Sequence, residues 1–211
     1  MPIEDTQQKL QDYFVNRLES FGATPKGVDY NGAEAQTTRF EQLVRVVDSV
    51  QPFTVIDYGC GYGAMFDFLY AKGWDFEYHG IDLIDEMIKA GRESHQGYQN
   101  AHFTTLEHEL PPADYLLASA IFNIKLEAPE DEWRKFTLQT LRKMDSLCTK
   151  GFSFNMLTNY SDAARMAERP DLFFADPLSY FDFCKRNFSR NVALLHDYGL
   201  FDFTIVVRKN V

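Results

Sequence analysis

Apolar residues recur along this chain in two rhythms, that of a helix and that of a strand, and their alternation lays out a fold before any motif is weighed. Over residues 4–20, Leu10, Phe14, Val15 and Leu18 fall on one helical face. Phe21 to Ala33 holds three glycines and Pro25 and reads as a loop. A second helix is predicted from about Glu34 to Val50, with Phe40, Leu43, Val44 and Val47 as its apolar stripe and Pro52 closing it. Phe53 to Ile56 is apolar and rich in β-branched residues, the signature of a buried strand. Gly59, Gly61 and Gly63 follow at every second position, and Phe66, Phe68, Leu69 and Tyr70 resume at helical spacing as far as Lys72.

The alternation then repeats. A strand is expected from Trp74 to Ile81, ended by Asp82, and a helix from Asp85 to about His95. A short strand around Ala101 to Thr105 precedes Pro111-Pro112, and a fourth runs from Ala113 to Ala118. Glu130 to Leu147 is a long helix with Trp133, Phe136, Leu138, Leu141 and Met144 inward, and Gly151 to Leu157 is a fifth strand. Helical patches surround Pro170 and Pro177, the second from about Leu178 to Phe188. Val192 to His196 and Phe201 to Val207 are both strand-like, with only Asp197-Tyr198-Gly199-Leu200 between them. So short a connection cannot cross over to a parallel strand, so the two form an antiparallel hairpin. The expected fold class is α/β: a Rossmann-like, doubly wound, mostly parallel sheet covered on both faces and finished by a C-terminal antiparallel hairpin. With no repeat, low-complexity tract or linker, residues 1–211 are expected to form one domain, 1–50 as leading helices and 51–211 as the α/β core.

Composition narrows the function more than the fold. The chain of 211 residues is 45% hydrophobic and 25% charged, ordinary for a globular protein, while 15% aromatic content suggests ring-rich packing and a ring-lined pocket. A net charge of −10 with no Lys/Arg cluster disfavours nucleic acid as a partner. Three widely spaced cysteines without a CxxC argue for a reducing compartment and against a zinc site. The start lacks the basic and apolar regions of a signal peptide, and no apolar run approaches the roughly 20 residues of a membrane helix. A cytoplasmic protein without membrane association, monomeric or homodimeric, is the expectation.

The glycine turn is the candidate site, because a strand that ends in glycines and restarts as a helix lets a ligand approach the backbone closely. Two ligands compete for it. Gly59-x-Gly61-x-x-Ala64, with Asp82 beyond, fits a dinucleotide fingerprint and so an NAD(P)-dependent oxidoreductase. Asp57 discriminates. It lies two residues before the first glycine, where a pyrophosphate would be repelled and a cationic ligand such as S-adenosylmethionine favoured. Asp82 would bond ribose hydroxyls in either case.

Asp57-x-Gly59-x-Gly61-x-Gly63, Asp82 and the closing hairpin together resemble the class I S-adenosylmethionine-dependent methyltransferases over about residues 34–208. The resemblance implies a seven-stranded sheet whose last strand is antiparallel, with S-adenosylmethionine along the carboxyl ends of strands one to four and S-adenosylhomocysteine as product. Gly27-Val28-Asp29-Tyr30-Asn31 followed by Glu34-x-Gln36-x-x-Arg39-Phe40 is similar to small bacterial methyltransferases of biosynthesis. That likeness implies that Tyr30, Gln36 and Arg39 close over the cofactor, with Arg39 on its carboxylate. Gly59, Cys60, Gly61 and Gly63 would form the turn beneath it, Leu83 and Met87 would flank the adenine, and Leu106 and Glu107 lie nearest its amino group. Ser119 would border the methionine moiety.

Methyl transfer is an in-line displacement, so the protein mainly aligns the nucleophile and excludes water, and a base matters only if a proton must leave. The substrate crevice is expected past strands four to six. Asn123, Lys125, Asn155 and Tyr198 are the candidate substrate-binding residues, and His196 the candidate base. The segment Ala120-Ile121-Phe122-Asn123 lacks the Asn/Asp-Pro-Pro-Tyr/Phe motif of amino-methylating DNA and protein enzymes. His79, His95, His102 and His108 show no ligand spacing, so no metal is expected. The expected reaction is methylation of a small polar metabolite, on oxygen. An oxidoreductase or a non-catalytic cofactor-binding subunit are the alternatives.

Overall fold

The structure is a computed structural model describing residues 3–48 and 52–209. Seven strands form one sheet: β1 (Phe53–Tyr58), β2 (Phe76–Ile81), β3 (Ala101–Thr104), β4 (Ala113–Ala118), β5 (Cys148–Leu157), β6 (Asn191–Leu195) and β7 (Asp202–Arg208). Their order is β3-β2-β1-β4-β5-β7-β6. β1 to β5 pair in parallel, whereas β7 runs antiparallel to both its neighbours. The predicted hairpin therefore inserts with its second strand inward, leaving β6 at the sheet edge. Strand order reverses between β1 and β4, which opens a crevice at their carboxyl ends.

Among the described residues seven α-helices surround the sheet: α1 (Ile3–Phe21), α2 (Ala33–Leu43), α3 (Ala64–Ala71), α4 (Asp85–Ser94), α5 (Glu130–Leu147), α6 (Ala163–Glu168) and α7 (Pro177–Asn187). One face of the sheet packs Phe40, Leu43, Phe66, Tyr78 and Phe103 into a core. The other buries Trp133, Leu141, Phe152, Phe154 and Tyr180. The second predicted helix ends early, at Leu43, and tightens into a 3₁₀ turn over Val44–Val46; its predicted end at Val50 lies outside the described residues. β1 runs two residues beyond Ile56, so Asp57 is part of the strand. The β3–β4 connection carries only a 3₁₀ turn, Glu107–Glu109, in place of a full helix.

α1 lies across the carboxyl end of the sheet, touching α4 and α5. Gln11 Nε2 donates to the Leu83 carbonyl at 3.0 Å, Lys9 pairs with Glu127 at 2.6 Å, and Arg17 pairs with Asp29 at 2.9 Å. These are exposed contacts of small individual worth. Leu10, packed against both apolar clusters on that side, and Phe14, packed against the smaller one, hold the helix down.

Candidate functional site

The glycine turn needs its glycines. Gly59, Gly61 and Gly63 have φ of 77°, 54° and 92°, in the region L side chains avoid. A Cβ on Gly59 would stand 2.3 Å from Ile121 Cγ2, so the end of β4 leans directly on the turn. Four of the turn's amides are already engaged. Gly59 and Cys60 N–H both donate to the Ile81 carbonyl at 2.8 and 3.0 Å, Gly61 N–H donates to Asp82 Oδ2 at 2.9 Å, and Gly63 N–H to the Cys60 carbonyl at 3.0 Å. Those four donors are therefore not offered to a phosphate.

Asp57 is buried to 3% exposure, and its Oδ2 accepts from the Tyr78 hydroxyl at 2.7 Å. Burial, reinforced by neighbouring Asp82, pushes its carboxyl up to about 7 in spite of that bond. Burial raises Asp82 to about 6, opposed by the backbone N–H groups of Gly61 and Ile84. Two carboxylates with raised pKa values at adjacent strand ends make a site that gains most from a cationic or hydroxyl-rich ligand.

Both face a cavity of about 480 Å³ at the carboxyl ends of β1, β2 and β4. Of the residues singled out from the sequence, Tyr30, Gln36, Asp57, Gly59, Cys60, Gly61, Asp82, Leu83, Met87, Glu107 and Ser119 line it. The Tyr30 hydroxyl and Ser119 Oγ are hydrogen-bonded at 2.7 Å, and burial holds the Tyr30 phenol up at about 12, hence neutral. The Cys60 thiol is likewise pushed up by burial and is not a nucleophile at neutral pH. Glu107 is shared by Lys143 Nζ at 2.6 Å and the Tyr58 hydroxyl at 3.5 Å. Burial raises Tyr58 to about 12.

The other residues singled out from the sequence lie outside the cavity lining. Arg39 does not face the cavity; its Nη2 pairs with Asp202 Oδ2 at 2.5 Å in the interior. Gly63 caps α3 and packs beneath His95 and Phe103, and Leu106 points out to solvent. None of the five residues proposed for the substrate lines the cavity. Asn123 accepts the Leu157 N–H at 3.0 Å, and Asn155 accepts the Ala120 N–H at 2.9 Å, both as buried structural amides. Lys125 Nζ lies 3.4 Å from the Leu126 and Ala128 carbonyls. Tyr198 bonds Thr204 at 3.0 Å, and burial raises its phenol. His196 is exposed, against the rings of Tyr160 and Phe203. It follows the edge strand β6, two strands beyond β5, and so cannot reach the β1/β4 crevice.

In their place the cavity is lined by two helical stripes. Gln7, Leu10, Gln11 and Phe14 of α1 recur at helical spacing, as do Trp133, Phe136, Thr140 and Lys143 of α5. Their periodicity is visible in the sequence, but nothing there tells a stripe facing a cavity from one facing a core. No histidine among the described residues lines the cavity, and no group of three or more His, Cys, Asp or Glu among them is placed to hold a metal.

Sheet order, crevice and paired strand-end carboxylates define a Rossmann-like α/β protein with a ligand site at the strand ends. A family model described as a methyltransferase domain matches residues 55–145, from β1 through most of α5. The protein named "Putative methyltransferase Rv1506c" of Mycobacterium tuberculosis strain H37Rv is 47% identical over 166 residues, covering 79% of this chain and 99% of its own. The chain belongs to this methyltransferase family. Among solved structures, magnesium protoporphyrin IX methyltransferase from Synechocystis PCC 6803 with bound S-adenosylhomocysteine has a TM-score of 0.66 at 13% identity, covering 97% of this chain and 100% of that one. The N-methyltransferase NodS from Bradyrhizobium japonicum, also with S-adenosylhomocysteine, has a TM-score of 0.65 at 12% identity, covering 95% and 98%. At such identities the two structures establish the shared fold.

Proposed function

We propose that the cavity binds S-adenosylmethionine and that the chain transfers its methyl group to a small molecule with an apolar body, on an oxygen atom. The observation carrying the cofactor is the buried Asp57 carboxylate beside a turn in which the N–H groups of Gly59, Cys60, Gly61 and Gly63 are occupied. A dinucleotide needs the opposite arrangement, free amides and no carboxylate. When bound, S-adenosylmethionine supplies a methyl group on a positively charged sulfur. Asp57 would hold its ammonium group, Asp82 its ribose hydroxyls, Leu83 and Met87 its adenine faces, and Tyr30, Gln36 and Ser119 its amino-acid end. α1 would exclude water, since Leu10 and Phe14 close the crevice from above.

The acceptor's character is carried by the remaining lining. Leu10, Phe14, Ile121, Phe122 and Ile124 give it an apolar side, Gln7, Gln11, Gln139 and Thr140 add uncharged polar groups, and the polar residues expected there from the sequence face elsewhere. With Asp57 and Asp82 given to the donor, and Glu107 tied to Lys143, no base is left at hand. An acceptor oxygen must therefore arrive ionised or weakly protonated, as in a phenol, enol or carboxylic acid.

Calorimetric titration tests the cofactor: S-adenosylhomocysteine should bind and NAD should not, and the reverse would replace the methyltransferase reading of this cavity with an oxidoreductase one. Transfer of labelled methyl to a panel of matched phenols and aliphatic polyols tests the acceptor. Faster turnover of the polyols would overturn the apolar, acidic-oxygen assignment.

A further inference from the structure

We propose that Asp202, the first residue of β7, is a positioning residue that fixes the cavity wall made by residues 119–121 and thereby sets cofactor affinity. The inference rests on the cofactor reading above. Asp202 is 1% exposed and lies opposite Leu157 in the antiparallel β5–β7 ladder, two residues from the Asn155–Thr204 pair. Two arms leave its carboxylate. In the first, Asn155 Nδ2 donates to Asp202 Oδ1 at 3.4 Å, and Asn155 Oδ1 accepts the Ala120 N–H at 2.9 Å. In the second, Arg39 Nη2 donates to Asp202 Oδ2 at 2.5 Å, and the guanidinium lies 5.2 Å from the centre of the Tyr30 ring. Tyr30 in turn bonds Ser119.

Both arms thus end on adjacent residues of one wall, and that wall needs holding. Ala120 has φ of 60°, a left-handed conformation that is unfavourable for a non-glycine residue and persists only when its surroundings impose it. The next residue, Ile121, is the one that presses on Gly59. A slack wall would therefore disturb both sides of the crevice. A purely structural ion pair would need no path to the cavity, whereas this one has two.

Two measurements on purified protein, calorimetric affinity for S-adenosylhomocysteine and thermal melting, separate positioning from stability. Asp202→Asn strands a buried guanidinium and should lower both the melting temperature and, by about ten-fold or more, the affinity. The double variant Arg39→Gln/Asp202→Asn leaves no uncompensated charge, so most of the melting temperature should return. Its affinity should stay about five-fold or more below the native chain, because an amide at 202 can still accept from Asn155 but the guanidinium against the Tyr30 ring is gone. A double variant that binds S-adenosylhomocysteine within about two-fold of the native chain overturns the proposal. If neither variant folds, Asn155→Ala, which leaves the buried charges intact, lies outside the cavity lining and cuts the path from Asp202 to Ala120, decides: affinity should fall about three-fold or more, and unchanged affinity overturns the assignment. A native chain that does not bind the ligand removes the cofactor reading and this inference with it. Native binding with indifferent variants removes the inference alone.

Discussion

Asp57 has a hydrogen-bond donor in Tyr78, yet burial, with Asp82 beside it, raises its pKa. The native state holds the Asp57 and Asp82 protons to about pH 7 and 6, whereas the unfolded chain releases them near pH 4. Stability of the free protein should therefore fall as pH climbs from about 4 to 7, the reverse of an ordinary salt-bridged carboxylate. Asp57→Asn should melt above the native protein at pH 7.5, with the gap closing toward pH 4. Affinity for S-adenosylhomocysteine should move oppositely, rising about ten-fold from pH 5.5 to 7.5 as Asp57 ionises to meet the ammonium group. In Asp57→Asn that rise should flatten; its survival would show that another group holds the ammonium. Asp57 and Asp82 were legible in the sequence because each ends a strand, a fact of one dimension. The Arg39 partner was not, since Asp202 is 163 residues away and only the β5–β7 pairing brings it near. The place of His196 was hidden for a related reason: lying at the end of a strand says nothing of how far along the sheet that strand sits.

Among the elements, the β1–α3 turn tolerates least change, because two constraints meet at Gly59. Its φ of 77° costs a side-chain-bearing residue about 1 kcal/mol, and a Cβ would overlap the Ile121 methyl at 2.3 Å. Gly59→Ala should thus destabilise the chain by about 2–4 kcal/mol and abolish ligand binding. Gly73→Ala provides the control: φ is also positive, at 68°, but its Cβ would meet open space. It should cost only about 1 kcal/mol in chemical denaturation and leave affinity unchanged. Equal losses in the two variants would mean that backbone strain, not the contact with Ile121, governs the turn. β4 and α5 matched their sequence boundaries because both have clean periodicity and abrupt ends, Pro112 before one and Pro129 before the other. β1 and β5 run longer than predicted. Polar Asp57 in one and Thr149-Lys150 in the other break the apolar run, while ladder pairing with β2 and β4 carries the strands on. α1 was read as amphipathic, but its role as a cover follows from where the chain returns over the sheet, which periodicity does not specify.

At the scale of the whole molecule, the cavity is where separate parts of the chain meet: α1, the glycine turn, the end of β2, the end of β4 and α5 all contribute walls. A ligand there ties α1, otherwise held by surface polar pairs and a few apolar side chains, to the strands and α5, so occupancy should be felt by the entire fold. Binding only the native state adds stability of about 2.7 kcal/mol at a hundred times the dissociation constant. For a chain of 211 residues this corresponds to a rise in melting temperature of roughly 5–10 °C. S-adenosylhomocysteine should produce that rise, increasing with the logarithm of its concentration, and by more at pH 8 than at pH 5.5 because of Asp57. NAD at matched concentrations should leave the transition in place, since a phosphate meets a carboxylate and engaged amides in a molecule of net charge −10. The pH arm gives the comparison its force: any native-state ligand raises the melting temperature, but only one read by the strand-end carboxylates does so more strongly as they ionise. A shift independent of pH would place the ligand away from Asp57 and Asp82, and the crevice would need a different occupant.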